Sequence, residues 1–442
     1  MQNSHRAIKI LAKLDTPLAL PCGAVLNNRI AKAAMTEGLA TPDGKSTPEL
    51  ERLYETWSMS GAGMLLTGNV IVDSQHLERP GNIVIDRKPD ADTAERLSRL
   101  AKAGTKGGNH FWAQLSHAGR QTQKPVNPSP KSPSNVKVAL PGGQFGTPEP
   151  LTVEEISDLV TRWATAAKAC QDAGFTGIQI HAAHGYLISQ FLSPRCNLRD
   201  DQYGGSLENR ARFLLDIVAA TRKQVGAKFP ICVKLNSADF QKGGFEFEDS
   251  LTLVQWLEAA SVDLIEISGG TYEQPKLLGK EGIEPEQEQV VAPSTAAREA
   301  YFVDFAKSMQ TKVNVPLMVT GGFRKRSTME HALKIEAADV IGIGRPMCLM
   351  SDAPKQILEG LKELPRFEDD LRLIPNWLGF MRRFQLLKAV DGFASVYWFY
   401  QQIWMLAHEG KTDPEFSIFK ALGLVESRNR SILKERAKML NP

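Results

Sequence analysis

The chain has 442 residues, of which 42% are hydrophobic and 23% charged, and this composition is typical of a folded globular protein rather than a disordered one. Its 53 basic and 50 acidic residues are spread along the chain and give a formal net charge of +3. No concentrated basic face of the kind that nucleic acids require is therefore predicted. The length allows one large enzyme domain with an extension, or two ordinary domains.

Eight short apolar runs rich in Val, Ile and Leu recur along the chain, and a longer amphipathic segment follows each of them. This alternation is typical of parallel strands covered by helices. The predicted strands span residues 29–35, 64–72, 110–116, 177–183, 230–236, 262–268, 315–321 and 339–344. The predicted helices lie near residues 48–60, 90–106, 152–173, 207–226, 248–260, 296–311 and 326–337, and an eighth follows Pro346.

Eight strand–helix units predict an α/β protein whose parallel strands close into a (β/α)8 TIM barrel over residues 1–350. Residues 351–442 are predicted to form a C-terminal helical extension packed on or beside the barrel. Two long connections, 117–151 and 269–295, follow strands and are rich in Pro and Gly. They predict functional loops at the carboxyl face of the barrel.

The extension contains an apolar stretch, residues 386–407, that charged and amide side chains interrupt. A buried helix is therefore favoured over a membrane span. Core packing is also the preferred interpretation of its aromatic residues, ahead of oligomerisation or attachment to a membrane surface. These residues are Phe393, Tyr397, Trp398 and Trp404. A homo-oligomer is left open.

The cysteine pattern bears on the cellular compartment. The five cysteines are far apart in the chain: Cys22, Cys170, Cys196, Cys232 and Cys348. No C-x-x-C pair suggests zinc or an iron–sulfur cluster. The first 15 residues lack the apolar core and the cleavage site of a secretory signal. We therefore expect a reducing, cytoplasmic location.

Two histidines and a tyrosine lie at the end of the fourth predicted strand, in the stretch IHAAHGYLISQF (180–191). Polar residues there point into the pocket of a barrel, which favours a functional role for His181, His184 and Tyr186 over buried structural histidines. A metal site would need a further ligand, and the nearby ammonium of Lys234 disfavours a cation, so no metal is predicted. The preferred interpretation is a pair of hydrogen-bond donors for an anionic or carbonyl oxygen, with the tyrosine as a proton source.

Glycine-rich turns follow the seventh and eighth predicted strands, as GGF at 321–323 and GIGRPM at 342–347. They let backbone N–H groups approach an anion, and Arg345 adds a positive charge, so a phosphate site is predicted there. The structural alternative is a pair of tight turns with Arg345 in an ion pair. Gln114 and Lys234 lie at the ends of the third and fifth strands, so a ligand that touches all these positions is long and flat. FMN fits this description.

These residues resemble the Old Yellow Enzyme family of FMN-dependent ene-reductases, also called NADH:flavin oxidoreductases, from about residue 15 to 350. The strongest segment is HAAHGYLISQFLSPRCNLRDDQYGGSLENRARF (181–213), which is similar to the family pattern almost throughout. NRIAKAAMTEG (28–38) and AQLSHAGRQ (113–121) support the resemblance independently.

The resemblance implies that His181 and His184 bind the carbonyl or nitro oxygen of an activated alkene above FMN. NADPH or NADH reduces the flavin, whose N5 hydride goes to the β-carbon, and Tyr186 protonates the α-carbon from the opposite face. The implied partners are small-molecule activated alkenes, and the implied activity is that of an NAD(P)H-dependent ene-reductase.

The resemblance also implies a set of FMN contacts: Ala34, Met35, Thr36, Gly68, Gln114, Lys234, Gly321, Gly322, Gly344 and Arg345. Thr36, which is grouped with the catalytic residues, stands where some members have cysteine. Its hydroxyl is expected to bond the flavin O4 without thiol-dependent tuning of the potential. Lys234 replaces an arginine of many bacterial-type members. The 122–150 insert and the tail after residue 350 match nothing in the family, and the tail lacks the cysteine cluster of its larger iron–sulfur relatives.

Two alternatives to an ene-reductase are open at this point. A flavin-free phosphate-binding barrel, such as an aldolase or isomerase, would keep the glycines and would not need Gln114 or the paired donors. A non-catalytic flavin-binding partner would bind the cofactor without alkene-dependent oxidation of reduced nicotinamide. The colour of the purified protein tests the first alternative, and turnover with an alkene tests the second.

Overall fold

A computed structural model describes residues 12–140, 142–269, 295–369, 371–374 and 385–440. In the helices that begin at Thr295 and Gln385, side chains are described from residues 303 and 394 onward, in the second case as far as residue 439. The long connection predicted at 269–295 therefore lies almost entirely outside the described residues, as does the side chain of Phe393.

Eight parallel strands form the centre of the molecule and close into a barrel in chain order. These strands, called barrel strands 1 to 8 below, span Ile30–Lys32, Met64–Ile71, His110–Ser116, Gly177–Ala182, Ile231–Asn236, Leu264–Ser268, Leu317–Thr320 and Val340–Ile343. Strand 1 closes the barrel because Ala31 lies opposite both Met64 of strand 2 and Gly342 of strand 8. The predicted (β/α)8 barrel is confirmed, and each predicted strand contains an observed one.

Helices surround the barrel and continue beyond it. They are Pro48–Ser58 (α1), Ala91–Gly104 (α2), Val153–Ala173 (α3), Leu187–Leu192 (α4), Leu207–Val225 (α5), Phe247–Ala259 (α6), Thr295–Gln310 (α7), Arg326–Lys334 (α8), Ala353–Leu358 (α9), Gln385–Glu409 (α10) and Ile418–Leu440 (α11). The start of α3 is a capping box, since Thr152 Oγ1 accepts from the Glu155 N–H and the Glu155 side chain accepts from the Thr152 N–H. The short α4 has no counterpart among the predicted helices.

The lower half of the barrel interior, at the N-terminal ends of the strands, is apolar. An antiparallel hairpin of Leu18–Ala19 and Val25–Leu26 packs against this end. The hairpin and the strands share one buried cluster, which we call the lower layer: Leu18, Leu20, Leu26, Ala31, Ala33, Met64, Leu66, Trp112, Cys232, Leu264, Met318 and Val340. A side chain at position 177 would collide with it, because a Cβ on Gly177 would lie 2.5 Å from the Trp112 indole nitrogen.

The C-terminal helices α10 and α11 pack on each other and on the barrel. Trp398 is buried, and its indole N–H donates to the Phe416 carbonyl at 2.7 Å. Arg79, which follows barrel strand 2, lies 3.8 Å from the centroid of the Tyr400 ring and donates to Asn429 at 3.2 Å. The predicted C-terminal helical extension is thus confirmed. Among the helices that the structure describes, none combines the length and the apolar character that crossing a bilayer requires.

Candidate active site

Neighbouring strands bring polar side chains together toward the carboxyl-terminal end of the barrel. The strand register places Gln114 of strand 3 beside Gln179 of strand 4. It also places Lys234 of strand 5 between His181 of strand 4 and Glu266 of strand 6. We call these five residues the upper layer, and all of them are buried.

Two glutamines and a glutamate of the upper layer form a hydrogen-bonded relay. Gln114 Nε2 donates to Gln179 Oε1 at 2.7 Å, and Gln179 Nε2 donates to Glu266 Oε2 at 2.6 Å. An ionised carboxylate only accepts hydrogen bonds, so Glu266 determines the direction of both amides. The carbonyl oxygen and the second amide hydrogen of Gln114 are then the groups that can meet a ligand.

A buried ion pair completes the upper layer. Lys234 Nζ lies 2.9 Å from Glu266 Oε1, and neither side chain is more than 4% exposed. Lys234 is therefore not a solvated charge at a strand end. Its ammonium lies inside the barrel beside the Glu266 carboxylate, which compensates its charge.

At the top of this layer, His181 meets the other two residues singled out in the IHAAHGY stretch, His184 and Tyr186. The ring centroids of His181 and His184 are 5.1 Å apart, and those of His181 and Tyr186 are 4.8 Å apart, both pairs packed edge to face. Strand 4 ends at Ala182 and α4 begins at Leu187, so the turn between them carries His184 and Tyr186. The structure thus brings together the three side chains that the sequence singled out.

Both imidazoles are held in the neutral form. Burial lowers the pKa of His181 well below its usual value, and His184 and Lys234 lower it further. Burial and the Lys234 ammonium lower the pKa of His184 in the same way. The Ala183 N–H donates to His181 Nδ1 at 3.2 Å, so the proton of His181 resides on Nε2. His184 Nε2 lies 2.7 Å from the Ser268 hydroxyl.

His184 has a φ of 62°, in the left-handed region that side chains with a Cβ rarely adopt. Such a conformation costs on the order of 1–3 kcal/mol and persists only where its surroundings enforce it. Two side chains do so here. Asn236 Oδ1 accepts from the His184 N–H at 3.1 Å, and Gln121 Nε2 donates to the His184 carbonyl at 3.0 Å. This backbone strain lies at the residue predicted to bind substrate.

The end of strand 1 contributes three partly exposed residues to the barrel mouth: Ala34, Met35 and Thr36. The Thr36 hydroxyl donates to Glu78 Oε2 at 3.1 Å and accepts from Asn69 Nδ2 at 3.3 Å. Gly68 is buried beneath this segment, and a Cβ on it would lie 2.5 Å from the Met35 carbonyl oxygen. Close packing therefore explains the glycine at position 68, and the flavin contacts of Gly68 and Thr36 stay predictions.

The turns after strands 7 and 8 contain glycine for different reasons. Gly322, next to the buried Gly321, has a φ of 80°, which favours glycine on backbone grounds alone. Among the described residues, a Cβ on Gly344 would meet only Met35 Sδ, at 3.9 Å. Packing against that part of the chain thus does not demand a glycine at position 344. A bare backbone with this much room suits the close approach of an anion.

Arg345 makes the ion pair that was the structural alternative for it, with Nη1 3.2 Å from Glu368 Oε1. Arg324 donates to the same carboxylate oxygen at 2.5 Å. The contact of Arg345 with a phosphate therefore stays a prediction. The mouth as a whole suits FMN, because bare glycine backbone, an amide, an ammonium and imidazole N–H groups match the acceptors of a phosphate and a flavin ring.

A second histidine pair lies outside the barrel mouth. Within the described ranges, one group of potential metal ligands converges, namely Asp73, His76 and His117, whose ligand atoms lie within 4.8 Å of one another. The Lys131 N–H donates to His76 Nε2 at 2.8 Å, and the Gly119 N–H donates to His117 Nδ1 at 3.0 Å. In the neutral rings, the nitrogens that face Asp73 therefore carry the protons and do not suit a cation.

This arrangement stabilises the ionised carboxylate of Asp73. Burial alone would raise its pKa, but the imidazole nitrogens of His117 and His76, which lie 3.6 and 3.1 Å from Asp73 Oδ2, hold the pKa of Asp73 well below its usual value. The imidazole rings of His76 and His117 stack with their centroids 4.3 Å apart. The cluster thus ties the segments after strands 2 and 3 together as a structural feature.

Sequence reasoning missed several residues on which the site depends. Glu266 and Gln179 are polar residues within the apolar strands VDLIEIS and GIQIHAA. A polar residue with apolar neighbours is the signal that singled out Lys234, and the same signal could have found these two residues. Asn236 and Gln121 carried no such signal, since their role depends on the backbone conformation of His184.

Comparisons with known proteins agree with this geometry. The profile of the NADH:flavin oxidoreductase / NADH oxidase family matches residues 13–363. The NADH-dependent flavin oxidoreductase iliE of Hypocrea jecorina (strain QM6a) is 36% identical over 364 residues, which cover 77% of this chain and 88% of that protein. The NADH-dependent flavin oxidoreductase iccE of Talaromyces variabilis is 35% identical over 361 residues, which cover 78% of this chain and 86% of that protein.

A solved structure supports the fold. The old yellow enzyme homologue from Zymomonas mobilis aligns with a TM-score of 0.66 at 23% identity, covering 80% of this chain and 95% of that chain. The family profile covers well over half of the chain, and the two fungal relatives exceed 30% identity over most of their length. The chain therefore belongs to the NADH:flavin oxidoreductase / NADH oxidase family, the Old Yellow Enzyme family that its sequence resembles, and is an FMN-dependent oxidoreductase.

Proposed function

We propose that this protein reduces the C=C bond of α,β-unsaturated carbonyl or nitro compounds with electrons from NADH or NADPH. The observation that carries the proposal is the cluster of His181, His184 and Tyr186, in which two neutral imidazoles and a phenol converge at the end of strand 4. Bound FMN supplies hydride transfer, which these side chains cannot perform.

The two imidazoles act as donors to the substrate oxygen. His181 offers its Nε2–H, and His184 offers its Nδ1–H when the Ser268 hydroxyl donates to Nε2. Both rings are held by these hydrogen bonds before a substrate arrives, so little reorganisation is needed as negative charge develops on the oxygen. The donors polarise the double bond and make its β-carbon electrophilic.

Tyr186 acts as the general acid. Addition of hydride at the β-carbon leaves the α-carbon in need of a proton, and a positioned phenol can supply it. The Tyr186 ring packs edge-on against His181 and is only 5% exposed. The ring therefore lies in the same buried space as the imidazole of His181.

The test is a two-stage reaction under anaerobic conditions. Purified holoenzyme is reduced with NADH, and the oxidised flavin absorbance is then followed after mixing with enones and nitroalkenes. We expect at least one of these classes to reoxidise the flavin with formation of the saturated product. A protein that is reduced by NADH but reoxidised by none of them would refute the ene-reductase proposal while leaving the FMN-dependent family assignment intact.

The assignment of the acid is tested by Tyr186→Phe. This change should slow alkene-driven reoxidation about 10²- to 10⁴-fold and leave reduction by NADH largely unaffected. Tyr203→Phe is a matched control, since Tyr203 is also buried and its hydroxyl bonds Asp216, away from the histidine pair. Equal reoxidation rates in Tyr186→Phe and Tyr203→Phe would show that Tyr186 is not the acid.

A further inference from the structure

The upper layer contains a charge that the proposed reaction does not use. Glu266 is fully buried in strand 6. Moving a carboxylate from water into such a buried position costs free energy. Its two oxygens have separate partners, Lys234 at 2.9 Å and Gln179 at 2.6 Å. A well-packed apolar pair would serve stability as well as a buried ion pair does. Stability alone therefore does not account for Glu266.

We propose that Glu266 is a positioning residue that sets the reduction potential of the bound flavin. It does so by neutralising the ammonium of Lys234 and by orienting the amide of Gln114 through Gln179. The inference rests on the proposed contacts of Gln114 and Lys234 with the flavin.

Lys234 and Glu266 balance each other in charge. A reduced flavin carries negative charge on its pyrimidine edge, so an isolated ammonium beside it would favour the reduced form. The Lys234 ammonium is not isolated, because the Glu266 carboxylate lies 2.9 Å away and water is excluded from both groups. The two opposite fields largely cancel at a ligand that lies above them. Glu266 should therefore hold the potential below the value that Lys234 alone would produce.

Glu266 also fixes the direction of the hydrogen-bonded relay. The carboxylate of Glu266 accepts a hydrogen bond from Gln179 Nε2, which leaves the Gln179 oxygen to accept one from Gln114. If the terminal acceptor were lost, both amides could turn over and exchange an oxygen for an NH₂ group at the ligand. The Gln114 amide is therefore oriented by a residue three strands away in the sheet.

The test is a charge cycle on the holoenzyme, with the midpoint potential of bound FMN as the readout. The variants are E266Q, K234Q and the double variant K234Q/E266Q. E266Q should favour reduced over oxidised flavin about tenfold more than wild type does, which for a two-electron couple raises the potential by about 30 mV. K234Q should lower the potential by a similar amount, and the double variant should return close to wild type.

The cycle separates this inference from the contacts on which it rests. If K234Q changes neither the potential nor the affinity for FMN, the proposed contact of Lys234 with the flavin is wrong. If K234Q lowers the potential but E266Q leaves it unchanged or lowers it too, the inference about Glu266 is overturned. A purely structural role would shift E266Q and K234Q in the same direction.

Controls keep the test decisive if E266Q folds poorly. The double variant restores neutrality, so its potential should lie above that of K234Q, and equality of the two would contradict the proposal. E266D keeps the charge and should stay close to wild type. M318L alters packing in the lower layer of the same barrel without changing charge, and its potential should also equal that of wild type.

Discussion

The two layers of the barrel interior lie on the same strands and differ completely in chemistry. On strand 3, Trp112 belongs to the lower layer and Gln114 to the upper layer, and on strand 5 the pair is Cys232 and Lys234. Residues two positions apart on a strand point to the same face, so both layers fill the same interior. A step of two residues thus separates a position that stabilises the barrel from one that can meet a ligand.

The apolar lower layer also keeps water away from the polar upper layer. The lower layer and the hairpin of Leu18–Ala19 and Val25–Leu26 fill the barrel below it. Charges in such a setting interact more strongly than they would in water. Each must therefore be compensated, as the Lys234–Glu266 pair shows. Changes in the lower layer should cost stability, and changes in the upper layer should cost binding or chemistry.

The largest expected effect is a loss of stability from the lower layer. Trp112→Ala removes a fully buried indole and should lower the free energy of unfolding by about 3–5 kcal/mol. Urea denaturation at a fixed FMN concentration measures the loss. The folded fraction should keep the wild-type flavin potential. A changed potential with unchanged stability would reverse the proposed division between the layers.

Acid should destabilise the protein by nearly as much through the histidines that are buried in neutral form. Burial, reinforced by His76, lowers the pKa of His117 from its ordinary 6.5 to about 4, although Asp73 opposes the shift. The unfolded chain therefore binds more protons between these values, and stability should fall by about 3 kcal/mol as the pH drops from about 6.5 to about 4. His181 and His184 contribute with the same sign.

Urea denaturation at pH 7, 6 and 5 tests this dependence. His117→Asn keeps an acceptor for the Gly119 N–H and removes the titrating group, so its stability should decline less steeply than that of wild type. An equal decline in both proteins would show that His117 does not contribute.

A smaller effect is expected where the site meets substrate. His184→Ala should weaken binding of a phenol that mimics the substrate oxygen by about 10- to 100-fold, since one strong hydrogen bond is lost. Flavin absorbance changes on titration measure the dissociation constant. His184→Asn is the matched control, because asparagine tolerates the left-handed backbone and still offers an N–H donor. Tight binding by the alanine variant would mean that the donor is misassigned.

The smallest expected effect concerns the upper layer beneath the ligand. Gln114→Ala removes about one hydrogen bond to the flavin and should weaken FMN binding up to about tenfold. Fluorescence of released FMN reports the affinity. The stability of the apoprotein should change far less than in Trp112→Ala. A large loss of apoprotein stability would show that Gln114 stabilises the barrel, as the residues of the lower layer do.

Much of the fold was predictable because local patterns in this chain agree with its tertiary structure. The buried strands are continuous apolar runs, and the start of α3 at Thr152 carries a complete capping box. The short helix α4 was missed because its six residues, Leu187–Leu192, are all buried and show no amphipathic pattern. For the candidate site, the sequence singled out His181, His184 and Tyr186 by their position at the end of a strand, and the structure brings these three side chains together.

The sequence by itself determined the barrel, its C-terminal helical extension and the family to which the chain belongs. These properties follow from short-range periodicity and from motifs that are contiguous in the chain. Only the tertiary structure decided that Lys234 is paired with Glu266, that Arg345 is paired with Glu368, and that His184 is held in a strained backbone. Such pairings join residues from different strands and loops, and their energies depend on distances and burial that a linear pattern does not contain.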